Sequence, residues 1–147
     1  MPDARIQVFH GPDQGLRSGR HPLPAKLAPG EVLIELALAT ICGSDLHTLS
    51  GQRREPTPAI LGHEGVGTVV ALGADAGRGD SIRTGQRVTW TIADSCGLCP
   101  ACTRHDLPQK CAHLFKYGHA RLDDGTGLNG CYASHILLRP GTRVVPV

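Results

Sequence analysis

The chain has 147 residues, with 15 Lys and Arg against 13 Asp and Glu, a formal net charge of +2 and no basic run longer than the pair Arg53 and Arg54. That pattern argues against a nucleic-acid surface or a polybasic membrane patch, and no apolar stretch approaches the roughly 20 residues of a membrane span. Two Phe, two Tyr and one Trp leave the core to Val, Ile, Leu and Ala, while 19 Gly and 11 Pro favour many short strands over long helices.

The first residues, MPDARIQVFHGPDQG, contain no apolar signal region and carry an acid at the third position. A cytoplasmic protein with reduced thiols is therefore expected, in which clustered cysteines bind metal rather than form disulfides. Arg5 to Phe9 reads as a first strand, closed by the turn signal HGPDQG. A polar approach, RSGRHPLPAKLAPGE, leads to EVLIELALA, an aliphatic strand from Glu31 to Ala39. GSDLHTLSG has a Ser/Asp start and a Gly stop and predicts a short helix, followed by the Pro-rich loop RREPTPAI. EGVGTVVALG and the run from Gln86 to Ala93 predict strands. After the cysteine loop and a Gly-rich stretch, CYASHILLRP and TRVVPV predict the closing strands. The expected architecture is one mainly β domain, an irregular barrel or sandwich with short helices and one long excursion around four cysteines.

Those four, Cys96, Cys99, Cys102 and Cys111, are spaced C-x2-C-x2-C-x8-C. Thiolates at two-residue intervals can converge on one tetrahedral zinc through tight turns, with Gly97 and Pro100 placed to form them. The loop holds little that could bury a core, so something else must order it. Metal binding supplies on the order of 10 kcal/mol in small zinc modules, comparable with the stability of a whole domain of this size. Four thiolates complete the shell and leave no open position, which makes this a structural site. Disulfides do not suit a cytosolic chain, and the ferredoxin spacing with its Cys-Pro ending is missing.

A second constellation comprises Cys42, Ser44, Asp45, His47, His63 and Glu64. Taken singly, each has an ordinary reading: a small buried residue, a helix cap, a loop histidine, a solvated charge. Taken together they suggest more. Cys42 follows one predicted strand and His63–Glu64 precede another, so strand pairing could gather a thiolate, an imidazole and a carboxylate around a zinc with one position open.

With these motifs in view, the chain resembles the zinc-dependent alcohol dehydrogenases of the medium-chain dehydrogenase/reductase family, over their N-terminal GroES-like catalytic domain. GHEGVGTVVALGADA, Gly62 to Ala76, fits that family's zinc signature; ICGSDLH looks like the segment bearing its first catalytic-zinc cysteine; the cysteine loop is similar to its structural-zinc lobe, at about residues 94–118. The resemblance implies that residues 1–147 form a GroES-like domain with an irregular β-barrel. It implies Cys42 and His63 as catalytic-zinc ligands, with Glu64 beside the metal and able to ligate it. Ser44 would take the alcohol proton, His47 would end the proton relay, and Asp45 would hydrogen-bond His63 and fix its tautomer. Hydride would pass between a small alcohol or aldehyde and NAD or NADP.

The chain also departs from the family. GHEGVGTVV reads G-x-x-G-x-G before a strand, not the G-x-G-x-x-G that opens a helix, so its glycines are expected to serve turns and strand packing. The family's Rossmann cofactor domain and the third protein ligand of its catalytic zinc would lie past Val147. A truncated or isolated catalytic domain is therefore expected, inactive alone, with a filled four-cysteine site and a weak or empty catalytic site. The last cysteine spacer is one residue longer than the commoner family form, and Gly85 to Val88, GQRV, replaces G-D-x-V. Cys131 is expected as a small buried residue. His10, His21, His105, His113, His119 and His135 have no partner motif and read as surface positions or supports behind the ligands. LPQKCAHLFKYGH has a fainter likeness to a subgroup found beside phosphonate-catabolism genes, a lead on substrate. The alternative is a stand-alone zinc-stabilised β-module that serves as a scaffold. A quinone reductase-like member working without zinc would need neither cysteine motif.

Overall fold

The computed structural model describes residues 3–76 and 82–147. Its strands are β1 (Asp3–Phe9), β2 (Leu16–Pro22), β3 (Val32–Ala39), β4 (Ala59–Ile60), β5 (Gly65–Leu72), β6 (Arg87–Trp90), β7 (Ala93–Asp94), β8 (Phe115–Lys116), β9 (His135–Leu138) and β10 (Val144–Pro146). Two short helices, α1 (Gly43–Leu49) and α2 (Pro100–Thr103), and a 3-10 turn at Pro108–Lys110 complete it. No described helix is long and apolar enough to cross a membrane.

The strands form a three-stranded sheet in the order β2-β1-β4, a five-stranded sheet in the order β10-β6-β5-β3-β9, and the small pair β7-β8. All pairings are antiparallel. Two apolar clusters flank the long strands. Val32 and Ile34 of β3, with Ile136 and Leu138 of β9, pack with Val69, Val88, Trp90 and Tyr117. The intervening Leu33 and Leu137 point the other way, toward Ala4, Ile6, Val8 and Ile60. Strict alternation thus lets β3 and β9 serve two cores at once, which explains why these segments read as unbroken aliphatic runs.

The mainly β, GroES-like class matches expectation, but the described strands close no ring. The two larger sheets meet through Tyr132–Ser134: Gln7 N–H donates to the Tyr132 carbonyl at 2.9 Å, Ser134 N–H to Arg5 at 2.8 Å and Leu36 N–H to Ser134 at 2.9 Å. A single bridge, Ile6 opposite Ala133, stands where a barrel would need a full ladder. Two further differences have one cause. β2 was expected as an irregular polar approach and the end of RREPTPAI as loop, yet both segments pair with β1. β2 is an edge strand, exposed apart from half-buried His21, so its side chains carry no alternation to read. β4 has only two residues.

Gly65 and Gly67 of GHEGVGTVV lie in the β3–β5 seam. A Cβ on Gly67 would run into the Glu35 carbonyl, and one on Gly65 would stand 3.0 Å from the Leu38 carbonyl. They allow two strands to approach where β3 bulges, between Leu36 and Leu38.

Candidate metal centres

The first centre is built where β3 ends and α1 begins, opposite the turn that enters β5. Cys42 occupies the N-cap of α1 in extended conformation. Its backbone N–H donates to Asp45 Oδ2 at 2.8 Å, a bond that closes the first turn and buries the carboxylate. Gly62, at φ +85°, holds the opposite turn, and the Cys131 N–H donates to its carbonyl at 2.8 Å. The next two residues, His63 and Glu64, thereby face the helix start. One ligand atom each from Cys42, His63 and Glu64 lies within 4.8 Å of the others. His63 is buried, Cys42 half-buried and Glu64 exposed. Glu64 is steadied by Thr40, whose Oγ1 donates to its Oε2 at 2.7 Å.

The remaining motif residues surround this trio. Ser44 Oγ is buried with no hydrogen-bond partner among the described residues. His47, three residues on along α1, is exposed. Asp45 Oδ1 stands 3.8 Å from His63 Nδ1, outside hydrogen-bond reach, and that buried ring nitrogen has no hydrogen-bond partner among the described residues. Cys131 is buried, with its thiol pushed up to about 12 by desolvation first and then by the Asp45 and Glu64 carboxylates. Burial and the same Asp45 charge raise the phenol of Tyr132.

Sequence spacing missed one participant. The His119 ring stacks on His63 with centroids 5.0 Å apart and an interplanar angle of 29°. His119 Nδ1 donates to Glu55 Oε1 at 3.0 Å, and Arg53 Nε meets the same oxygen at 2.6 Å. Burial holds the His119 imidazole below its ordinary pKa, against the opposing pull of Glu55. The local cue was Gly118, at φ +75°, which packs on Gly62: a Cβ there would lie 2.6 Å from the Gly62 carbonyl oxygen. A cleft of about 700 Å³ opens beside His119, lined also by Arg53, Glu55, Phe115 and Arg121.

The second centre is the cysteine lobe. The β7–β8 pair, Ala93 opposite Lys116 and Asp94 opposite Phe115, closes its base. α2 starts at Pro100 with Cys99 as its N-cap, so Cys99 and Cys102 sit on one turn. Sγ separations are 3.4 Å for Cys96–Cys111, 3.6 Å for Cys99–Cys102 and 3.9 Å for Cys99–Cys111. A tetrahedron with Zn–S near 2.3 Å has edges of about 3.8 Å, so the quartet has the dimensions zinc requires. Those distances are far too long for a disulfide, and all six cysteines of the chain are free.

Amides line the lobe and favour thiolates. Leu98 and Cys99 N–H groups both point at Cys96 Sγ at 3.4 Å, and Cys96 and His113 N–H groups at Cys111 Sγ at 3.3 Å. Backbone donors from Ala112 and Cys102 lower Cys99 to about 6, and those from Leu98 and Cys99 lower Cys96. Cys102 moves the other way, to about 12, through desolvation and then its neighbour Cys99. Four adjacent thiols cannot all ionise without a cation, and burial beside Cys99 makes Cys102 resist ionisation.

Among the other histidines, His21 Nδ1 donates to the Pro22 carbonyl at 3.0 Å, His135 Nδ1 contacts Ser134 Oγ at 3.0 Å, and the side chains of His105 and His113 are exposed, His113 serving the cysteine lobe through its backbone N–H alone.

Residues 28–147 match the family described as alcohol dehydrogenase GroES-like domain. A zinc-type alcohol dehydrogenase B from Aspergillus flavus is 32% identical over 119 residues, 81% of this chain and 27% of the relative. The solved alcohol dehydrogenase from Thermotoga maritima superposes with a TM-score of 0.87 at 32% identity, over 100% of this chain and 41% of that one. A structure from Escherichia coli CFT073, described as a short chain alcohol dehydrogenase complexed with cofactor NADH, gives 0.77 at 28% identity, over 97% and 38%. The chain thus spans well under half the length of each. Sharing its fold end to end with one solved alcohol dehydrogenase and matching the family over most of its length, the chain belongs to the zinc-dependent alcohol dehydrogenases of the medium-chain dehydrogenase/reductase family and carries their GroES-like domain.

Proposed function

We propose that this chain is the zinc-bearing catalytic part of an NAD(P)-dependent alcohol dehydrogenase acting on a small alcohol or aldehyde. The observation that carries the reading is the convergence of Cys42, His63 and Glu64, with one ligand atom of each within 4.8 Å of the others. Thiolate, imidazole and carboxylate form a set that zinc accepts while retaining an open position. Zinc held there supplies Lewis acidity toward an alcohol oxygen, and a nicotinamide supplies a hydride acceptor. The NADH carried by the Escherichia coli relative supports that acceptor.

The chain's own residues handle the proton. Ser44 offers a buried, unpartnered hydroxyl in the first turn of α1, free to accept from a substrate hydroxyl as its own proton moves on. His47, exposed on the same helix, hands that proton to water. Cys96, Cys99, Cys102 and Cys111 hold a structural zinc that orders their lobe. The three-residue site is the weaker of the two, because it has one thiolate and an exposed carboxylate engaged with Thr40. A scaffold role is not favoured, since it gives the Ser44 and His47 pair no task.

The test is alcohol-dependent reduction of NAD or NADP by the zinc-loaded chain, alone and combined with a cofactor-binding domain of the family. Turnover is expected only in combination, with Ser44→Ala lowering kcat on the order of 100-fold. Full turnover after removal of the Cys42 and His63 side chains would refute the assignment.

A further inference from the structure

No spacing in the sequence singles out His119, yet its ring lies face to face with His63. A zinc-ligating histidine is ordinarily aimed by a hydrogen bond at its other ring nitrogen. Here that bond is not closed: among the described residues His63 Nδ1 has no hydrogen-bond partner, Asp45 Oδ1 stands 3.8 Å from it, and Asp45 Oδ2 accepts the Cys42 amide at 2.8 Å. Packing adds a second hold on the ring.

The packing is built as two matching Gly–His pairs. Gly62 and Gly118, both at positive φ, press backbone against backbone with no room for a Cβ between them. The residues that follow, His63 and His119, are thereby brought ring to ring at 5.0 Å. His119 cannot swing away easily, because Glu55 takes its Nδ1 at 3.0 Å and Arg53 secures Glu55 at 2.6 Å. The Glu55 and His119 side chains are only 10% exposed, so the bond between them is largely shielded from water, with the more exposed Arg53 on its outer side.

We propose that His119, anchored by Glu55 and Arg53, is a positioning residue that fixes the His63 imidazole by stacking so that it meets a metal together with Cys42 and Glu64. This rests on the reading of Cys42, His63 and Glu64 as a metal site.

The experiment is a Co²⁺ titration of the chain and of His119→Ala and His119→Phe. The four-cysteine site reports by the intense tetrathiolate charge-transfer absorption of the first equivalent, the three-residue site by the weaker increment, from a single thiolate, that the second equivalent adds. His119→Ala should bind Co²⁺ at the three-residue site roughly tenfold more weakly, with altered d–d bands. His119→Phe, which keeps a ring face, should stay within about threefold of the parent. An unchanged charge-transfer band shows that each variant is folded. If Ala disturbs that band, His119→Leu replaces it, with the same loss expected. Parent-like affinity in His119→Ala, or equal loss in His119→Phe, overturns the inference alone. A parent chain that fills only the four-cysteine site overturns the metal-site reading and the inference with it.

Discussion

Gly62 shows how much of the first centre depends on a residue with no side chain. Its φ of +85° is a conformation that costs an L side chain about 1–2 kcal/mol. A Cβ would also lie 2.7 Å from the Tyr132 ring and 3.2 Å from the Cys131 Cβ. Gly62→Ala should therefore lower stability by about 2 kcal/mol or more and weaken metal binding at His63, read as a lower thermal midpoint and a lower Co²⁺ affinity. An unchanged midpoint would mean that the turn relaxes without consequence. At this scale the sequence was readable where chemistry has a spacing: Cys42, His63 and Glu64 are brought together, as are the four cysteines. His119 was not readable, because a ring stack between distant segments leaves no periodic trace. Nor was the gap between Asp45 and His63, since a motif names a pair without fixing whether they touch.

Among elements, those with an internal pattern were legible and those made by a neighbour were not. α1 announced itself through Ser44 and Asp45 at its start and Gly51 beyond its end. β2 and β4 exist because β1 offers them backbone partners. The cysteine lobe is a third kind of element, with almost no apolar content turned inward: Leu98 is 84% exposed. Its base is tied to the body through Tyr117. The Tyr117 hydroxyl accepts the Arg139 N–H and bonds Thr142 Oγ1, each at 2.7 Å, and the Arg139 guanidinium covers the Phe115 ring at 4.3 Å. Burial pushes the Tyr117 phenol up to about 12. Removing metal should accordingly unfold residues 95–114 locally while both main sheets persist. Limited proteolysis with and without a chelator checks this, with cuts expected inside the lobe only after chelation. Resistance of the chelated lobe would show that the chain orders itself without metal.

For the whole molecule, the sheets set one centre apart from the other. β3, α1 and the turn into β5 build the Cys42–His63–Glu64 cluster, and the β7–β8 pair carries the quartet. Composition and strand pattern foretold the mainly β class. They did not foretell open sheets joined by one bridge, because closure depends on how Tyr132–Ser134 shares its backbone groups between β1 and β3. We propose that one small fold holds two cation sites of unequal strength and different purpose. The decisive experiment is a Co²⁺ titration of metal-free chain, run in parallel with His63→Ala. A first equivalent with tetrathiolate absorption is expected in both proteins, and a weaker second equivalent in the parent that His63→Ala abolishes. A single equivalent in the parent, or a second one that survives loss of His63, would contradict it.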